Sequence, residues 1–303
     1  MIEVLRAGLC DLVMDLGRPG WGALGVPAGG ASDPRALVAA NRLVGNPDGA
    51  AGLEVMLTGP TLAFPEGGVA AITGAGFAAR RSSGEPVVWD ETFFMVPGET
   101  LVLEAADDGC RCWLALQGGI AVAPVLGSRS TVLSAGFGGH AGRALRPGDV
   151  LALGEESRPS RRLRARRPAF DNTAPLRLVA GPQVGCFDDR GLAALFGATY
   201  RVAPTSDRRG IRLDGPAVTH ARAELPSQGV LPGAVQVPPD GRPIVLGWDG
   251  PVTGGYPVVG TVITADLGRL AQLRPGDAVR FASVDVRTAR ALAVADWPIE
   301  GVE

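Results

Sequence analysis

The chain has 303 residues, 46% of them hydrophobic and 20% charged, with a formal net charge of −2. That is enough for two domains with their own cores, and too little positive charge for a general nucleic-acid binder, which must displace counterions with a basic surface. All 29 basic residues are arginine, which excludes a lysine Schiff base, a Walker-type phosphate lysine and a biotin-carrying lysine on this chain. No run approaches the roughly eighteen apolar residues of a membrane span, and the first residues lack the basic-then-apolar layout of a signal peptide. Cys10, Cys110, Cys112 and Cys186 are too few and too scattered for a disulfide scaffold. A cytoplasmic protein with free thiols and neither nucleic-acid nor membrane partners is expected.

High counts of glycine (44) and proline (25) favour many short strands joined by turns. A strand at Ile2–Leu5 leads into the run D-L-G-R-P-G-W-G-A-L-G-V-P-A-G-G-A-S-D at 15–33, in which six of nineteen residues are glycine. So constrained a stretch reads as a shaped loop. Asp33 followed by Pro34 is a helix start, and Pro34–Val44 reads as a helix with Leu37, Ala40 and Val44 on its buried stripe. Asn41 shares that side and needs a polar partner, either structural or a ligand. Strands are expected at 53–58, 69–73, 87–89, 93–96, 101–104, 111–117 and 150–153.

Residues 154–175 contain S-R-P-S-R-R-L-R-A-R-R-P, an arginine-rich linker by pattern, between an N-terminal domain at 1–153 and a C-terminal domain at 176–303. Beyond it come a strand at 176–180, helices near 188–196 and 266–273, a strand at 278–284 and a terminal helix within 285–297. Three short motifs recur in order in the two halves: T-G-P-T-L with D-G-P-A-V, G-A-G-F-A-A-R-R with G-A-V-Q-V-P-P-D, and L-R-P-G-D twice. The recurrence suggests a duplicated β-domain, and closure into barrels removes exposed strand edges.

Familiar motifs fail on context. Gly20-Trp21-Gly22-Ala23-Leu24-Gly25 matches a dinucleotide fingerprint in letters, but prolines and further glycines stand where its helix must run. There is no G-x-S-x-G elbow, and only His140 and His220 are available to a nucleophile triad or a metal, so neither site is expected. Three polar clusters survive: Asp15, Arg18 and Asp33; Gln117-Gly118-Gly119 with Ser128-Arg129-Ser130; and Ser206-Asp207-Arg208 with Gln236 and Thr253-Gly254-Gly255-Tyr256. Each alone reads as turns that bond their own backbone. Together they suggest a surface for a small oxyanionic or amide substrate.

The stretches D-L-G-R-P-G-W, G-V-P-A-G-G-A-S-D, A-N-R-L-V-G-N, L-Q-G-G-I, G-S-R-S-T, S-D-R-R-G, G-A-V-Q-V-P-P-D-G-R-P-I and T-G-G-Y-P, in that order, resemble the biotin-dependent carboxyltransferase family, also called the allophanate hydrolase subunit 2 family. The resemblance implies a mainly β protein with a few short helices, built of two cyclophilin-like β-barrel domains. It implies one component of an ATP-dependent 5-oxoprolinase complex that hydrolyses 5-oxo-L-proline to L-glutamate, working with a subunit-B-like partner of related fold and an A-type subunit. ATP is then used by the complex at a site not on this chain alone; no biotin is attached to this chain and no metal is expected. Two alternatives are a carboxyltransferase component of a biotin-dependent urea or amide carboxylase, and a non-catalytic regulatory binder of a subunit-B-like kinase inhibitor. On the leading reading Arg18 and Arg129 hold a substrate carboxylate or carbonyl, and Asp15, Asp33 and Asp207 orient groups or handle a proton. Asn41, Gln117, Ser128, Ser130, Arg208, Gln236, Thr253 and Tyr256 complete the binding set. Many relatives carry D-x-Q-x-T-G-G-Y-P-K, where this chain has Pro251 in place of the amide and Val258 in place of the lysine.

Overall fold

The computed structural model describes all residues except 156–161, 168–172, 222–224, 294–296 and 303. The chain folds as two compact units: Met1–Arg18, Gly29–Ala169 and Asp296–Glu303 form unit 1, and Pro19–Ala28 with Phe170–Ala295 form unit 2. The secondary structure is mainly β, with four α-helices among the described residues.

Unit 1 holds β1 (Ile2–Arg6), β2 (Cys10–Met14), helix α1 (Pro34–Leu43), β3 (Gly52–Met56), β4 (Thr61–Phe64), β5 (Gly68–Gly74), β6 (Phe77–Arg81), β7 (Thr92–Met95), β8 (Glu99–Ala106), β9 (Arg111–Leu116) and β10 (Val150–Leu151). The strands form two five-stranded sheets, ordered β10-β1-β4-β8-β6 and β2-β3-β9-β5-β7. Ile2, Val4, Leu62, Phe64, Leu101 and Leu103 of the first sheet meet Val13, Leu53, Val55, Ile72, Leu114 and Leu116 of the second in one buried core. The outward face of the second sheet is not left to water. Helix α1 packs on β5 and β9, burying Leu37, Ala40 and Val44 as expected, and Thr73 Oγ1 donates to the Ala36 carbonyl at 2.8 Å.

The stretch read as a linker carries structure of its own. Leu163–Ala165 is a strand, β11, paired antiparallel with Ile299–Gly301 near the C-terminus, so both belong to unit 1. The rest of the arginine-rich stretch, 156–161 and 168–172, lies outside the described residues. Residues 87–89, expected as a strand, are not in one, while β2, β4 and β6 were not anticipated.

Unit 2 continues with β12 (Leu176–Ala180), α2 (Asp189–Gly197), β13 (Tyr200–Val202), β14 (Gly210–Asp214), β15 (Gln228–Gly229), β16 (Ala234–Gln236), β17 (Ile244–Leu246), β18 (Thr253–Gly254), β19 (Val258–Val262), α3 (Thr264–Leu270), β20 (Ala278–Val279), β21 (Phe281–Ser283) and α4 (Val286–Ala291). Eight strands make one sheet, ordered β20-β13-β14-β17-β16-β19-β12-β21. Its two end strands are separated in the chain by Arg280 alone, so the sheet returns on itself as a nearly closed barrel around Leu178, Tyr200, Leu213, Val235, Val245 and Val259. β15 and β18 form a separate two-stranded ribbon.

One repeated motif builds the same structure twice. In L-R-P-G-D at 145–149, Asp149 accepts from the Arg146 N–H at 2.7 Å, Gly148 sits at φ 88°, and the Gly148 N–H donates to the Val4 carbonyl while the Val4 N–H donates to the Asp149 carbonyl, which seats β10. In the copy at 273–277, Asp277 accepts from the Arg274 N–H at 2.8 Å, Gly276 sits at φ 91°, and the Gly276 N–H donates to the Val202 carbonyl while the Val202 N–H donates to the Asp277 carbonyl, which seats β20. The other two recurrences do not share pairing: β16 and β17 form an antiparallel pair, whereas the first-half counterpart supplies β6 and no strand after it.

Asp11, 1% exposed on β2, shows what burial costs. Desolvation pushes its carboxyl up to about 6, against the opposing pull of the Gly8 N–H and of Arg6. An acid whose folded pKa is raised destabilises the fold when ionised: the penalty is absent below its unfolded value near 4 and complete above about 6. Asp11→Asn is therefore expected to stabilise the protein by about 3 kcal/mol at pH 7, with most of the gain gone at pH 4. Denaturant titration of both proteins at the two pH values measures it.

Candidate functional site

The expected site residues fall into two constellations, one in each unit. In unit 1 the centre is Asp15, just after β2. Its carboxylate accepts from the Gly17 N–H at 2.8 Å, Ser128 Oγ at 2.6 Å, the Arg129 N–H at 2.5 Å and Ser130 Oγ at 2.5 Å. Its own N–H donates to Ser130 Oγ at 2.9 Å. Arg18, 1% exposed, donates from Nη2 to the Ser130 carbonyl at 2.5 Å and from Nε to the Val125 carbonyl at 3.3 Å, and its guanidinium lies 5.0 Å from the centre of the Phe137 ring. Gly138, at φ 71°, gives the room: a Cβ there would meet Arg18 Nη2 at 3.0 Å. Asp15 and Arg18 thus tie the glycine-rich run to the loop 117–143. Arg129 alone of this set is only half-buried at its side chain, with Nε on the Val122 carbonyl at 2.9 Å.

The far end of the glycine-rich run is held as firmly. Asp33 caps α1, accepting from the Arg35 and Ala36 N–H groups at 3.2 and 3.4 Å, and burial raises its pKa. Ser32 donates from N and Oγ to the buried Glu54 at 2.7 and 3.0 Å, with Arg111 Nε 3.3 Å from the same carboxylate. The helix start is occupied by a carboxylate where a phosphate would have to sit, so it does not fit an ATP phosphate. Asn41 spans the helix end, donating to the carbonyls of Asp48 and Ala50 at 3.2 and 2.8 Å and accepting from Asn46 at 3.1 Å. Asn46 in turn donates to the Leu116 carbonyl and accepts from the Gly118 N–H, both at 2.8 Å, so Asn41 fixes the Gln117-Gly118-Gly119 turn at second hand. Gln117 is 5% exposed in that turn.

In unit 2, Asp207 is exposed and closes its own turn, accepting from the Arg209 and Gly210 N–H groups at 2.8 and 3.2 Å. Arg208 forms a buried fork with Asp249, Nε–Oδ2 2.7 Å and Nη2–Oδ1 3.2 Å, with both side chains under one-tenth exposed. Thr253 and Gly254 form β18, and Tyr256 is 37% exposed just beyond it. Gln236, 4% exposed on β16, lies against Gly254, where a side chain would collide with its carboxamide. Val258, where the run D-x-Q-x-T-G-G-Y-P-K of the family resemblance would put a lysine, is buried in an apolar cluster with Val230, Ala234 and Leu246.

The structure adds residues that the sequence did not single out. A cleft of about 390 Å³ opens between Gln183, Cys186, Leu225, Ser227 and Gln228. Gln183 accepts from the Val258 N–H at 3.2 Å and donates to Gln228 Oε1 at 2.8 Å. Composition carried a signal for it: the chain has only five glutamines, and two of them, Gln183 after Pro182 and Gln228 before Gly229, line this cleft. Asp249 was also missed, because Trp248-Asp249-Gly250 reads as a turn until Arg208 is seen against it.

Removing the Asp15 carboxylate strands two hydroxyls and two N–H groups in the interior. Asp15→Ala is expected to lower stability by about 3–5 kcal/mol and to make 117–143 the first segment cut in limited proteolysis. A variant as stable and as resistant as the unaltered chain would show that the clamp holds nothing.

The carboxyltransferase domain family, subdomains A and B, matches residues 24–283. The chain is 38% identical to the C subunit of 5-oxoprolinase from Escherichia coli K12, covering 95% of this chain and 93% of that protein. It is 33% identical to the corresponding C subunit from Haemophilus influenzae, with 96% and 94% covered. Urea amidolyase of Saccharomyces cerevisiae is 32% identical over 96% of this chain, which spans only 17% of that protein. Among solved structures, Kluyveromyces lactis urea amidolyase superimposes with a TM-score of 0.87 at 30% identity over 95% of this chain and 19% of its own. TTHA0988 superimposes with a TM-score of 0.83 at 40% identity over 93% of this chain and 56% of its own. With the fold, the ordered motifs and 260 matched residues in agreement, the chain belongs to the carboxyltransferase domain family.

Proposed function

We propose that this chain is the C-type component of a multi-subunit ATP-dependent 5-oxoprolinase that hydrolyses 5-oxo-L-proline to L-glutamate in the cytoplasm. The observation that carries this reading is end-to-end correspondence with the C subunit of 5-oxoprolinase: 38% identity with 93% of that protein spanned. The urea amidolyase relatives match the same length of chain but only about a fifth of their own. The apolar setting of Val258 weighs the same way, since it leaves no cation at the position many relatives give to lysine.

An unstrained lactam resists hydrolysis until its carbonyl oxygen is activated, which is the reason to couple the reaction to ATP. In this reading ATP binds in the assembled complex, with a subunit-B-like partner and an A-type subunit. Arg129, whose guanidinium is only partly committed to a carbonyl, binds the substrate carboxylate or carbonyl. Arg18 and Asp15 position it by fixing the backbone on either side.

Co-expression with the A-type and B-type partners and assay of glutamate release test the assignment. ATP-dependent release that requires this chain is expected, and equal release without it would sink the reading. Within the active complex, Arg129→Ala is expected to raise KM for 5-oxo-L-proline by roughly 10- to 150-fold, the loss of one charge-assisted hydrogen bond of about 1.5–3 kcal/mol. An unchanged KM removes Arg129 from the binding set.

A further inference from the structure

Five Asp-Gly pairs occur in the chain: Asp48-Gly49, Asp108-Gly109, Asp214-Gly215, Asp240-Gly241 and Asp249-Gly250. Such a pair is reactive because glycine has no side chain to keep its backbone nitrogen away from the preceding carboxyl carbon. The fold decides whether that nitrogen reaches the carbon, and it does not treat the five alike. Arg42 holds Asp48 in a fork, at 2.7 Å to each carboxylate oxygen. Arg208 holds Asp249 in another, and there the Gly250 N–H is spent on the Gly247 carbonyl at 3.1 Å. Asp214 pairs with Arg242 at 3.1 Å. Asp240 accepts from the Arg242 N–H at 3.0 Å, while the Gly241 N–H donates to the Pro238 carbonyl at 2.9 Å. In these four pairs the carboxylate is turned to an arginine.

Asp108 differs. It is exposed and has no ion pair among the described residues, and its Oδ1 accepts at 2.8 Å from the N–H of Gly109, the very nitrogen that must attack. Gly109 sits at φ 69°, a conformation that glycine adopts without strain. The bend is anchored on both sides. The Asp107 N–H donates to the Gly76 carbonyl at 2.8 Å, and the Cys110 carbonyl accepts from the Leu57 N–H at 2.9 Å. Carboxyl and amide are therefore held together by fixed backbone, and proximity of that kind raises the rate of a reaction between neighbours by orders of magnitude.

We propose that Asp108-Gly109 is a site of spontaneous backbone rearrangement, at which Asp108 converts through a cyclic imide to isoaspartate. The Gly109 nitrogen attacks Asp108 Cγ, an N–C bond forms, and one oxygen of the protonated carboxyl leaves as water with the amide proton. Water then opens the five-membered ring at either carbonyl. Addition at Cγ restores aspartate. Addition at the main-chain carbonyl carbon of Asp108 leaves isoaspartate, with the chain running through Cβ. One water is lost and one is gained, so the change needs no oxidant, reductant or further reactant. The extra backbone carbon enters the turn between β8 and β9, just ahead of Arg111, whose guanidinium stands 3.3 Å from the Glu54 carboxylate that holds Ser32. The site goes beyond the 5-oxoprolinase assignment and does not depend on it.

The test is incubation of the full chain in H₂¹⁸O for several weeks at mildly acidic pH, followed by digestion in ordinary water and mass spectrometry. Each passage through the imide replaces one carboxyl oxygen of that aspartate by ¹⁸O. In the folded chain, label at Asp108 is expected to exceed that at each of the other four pairs by at least about tenfold. A second peptide of equal mass, eluting apart and resistant to an aspartate-specific protease, is expected to accompany it. In the chain unfolded by urea, where the five pairs lose their partners, they are expected to label alike. Asp108→Glu, which would have to close a six-membered ring, is expected to lose the label. No excess at Asp108 in the folded chain, no second peptide, the same excess in the unfolded chain, or label that persists in Asp108→Glu overturns the proposal.

Discussion

Unit 1 depends on a single carboxylate. Asp15 stands just after β2 as the first of nineteen residues rich in glycine, none of which joins a strand ladder. Four hydrogen bonds converge on it, three of them from a loop more than a hundred residues away, and Arg18 repeats the link to the same loop through the carbonyls of Val125 and Ser130. Each loop is floppy alone, and each supplies the polar partners that the other lacks. The entropy of ordering both is offset by charge-assisted bonds in a setting closed to water. Glycine is then required where backbone and guanidinium approach closely, as at Gly138.

The same economy governs the arginines. Without lysine, pairing falls to planar forks, and paired two-point contacts recur from Arg42 to Asp48, Arg81 to Glu99, Arg143 to Asp149, Arg177 to Asp266 and Arg208 to Asp249. A fork fixes direction as well as distance. Arg208 illustrates the consequence: as an isolated letter in S-D-R-R-G it reads as a ligand-binding cation, whereas in the fold it joins two turns of unit 2 by a buried pair.

Which parts were legible follows from the range of the interactions involved. Asp33-Pro34 announced α1 because a cap and a proline act within four residues, and 176–180 was readable as a strand from its apolar run. The β2, β4 and β6 strands were not, because their residue types show no clear polar–apolar alternation and their places are fixed by neighbouring strands. Residues 87–89 have the composition of a strand but no neighbour to pair with. The motif L-R-P-G-D was the most reliable sign of internal repetition because its structure is entirely local, an aspartate folded back on an arginine N–H. Asn41 fell between: its need for a partner was visible, but the partners, carbonyls after the helix and Asn46, were not.

The site was harder to read for a related reason. Sequence reasoning weights charge, and in this protein the conspicuous charges Asp15, Arg18, Asp33 and Arg208 are consumed in holding loops. Once they are assigned, the buried carboxamides of unit 2 stand out. Gln183, Gln228 and Gln236 are unremarkable letters in three separate segments, yet one backbone N–H at Val258 sets the direction of the relay through the first two. Lysine at position 258 would leave that N–H in place but bring an ammonium into a cluster now made of valine, alanine and leucine. Valine keeps the region uncharged.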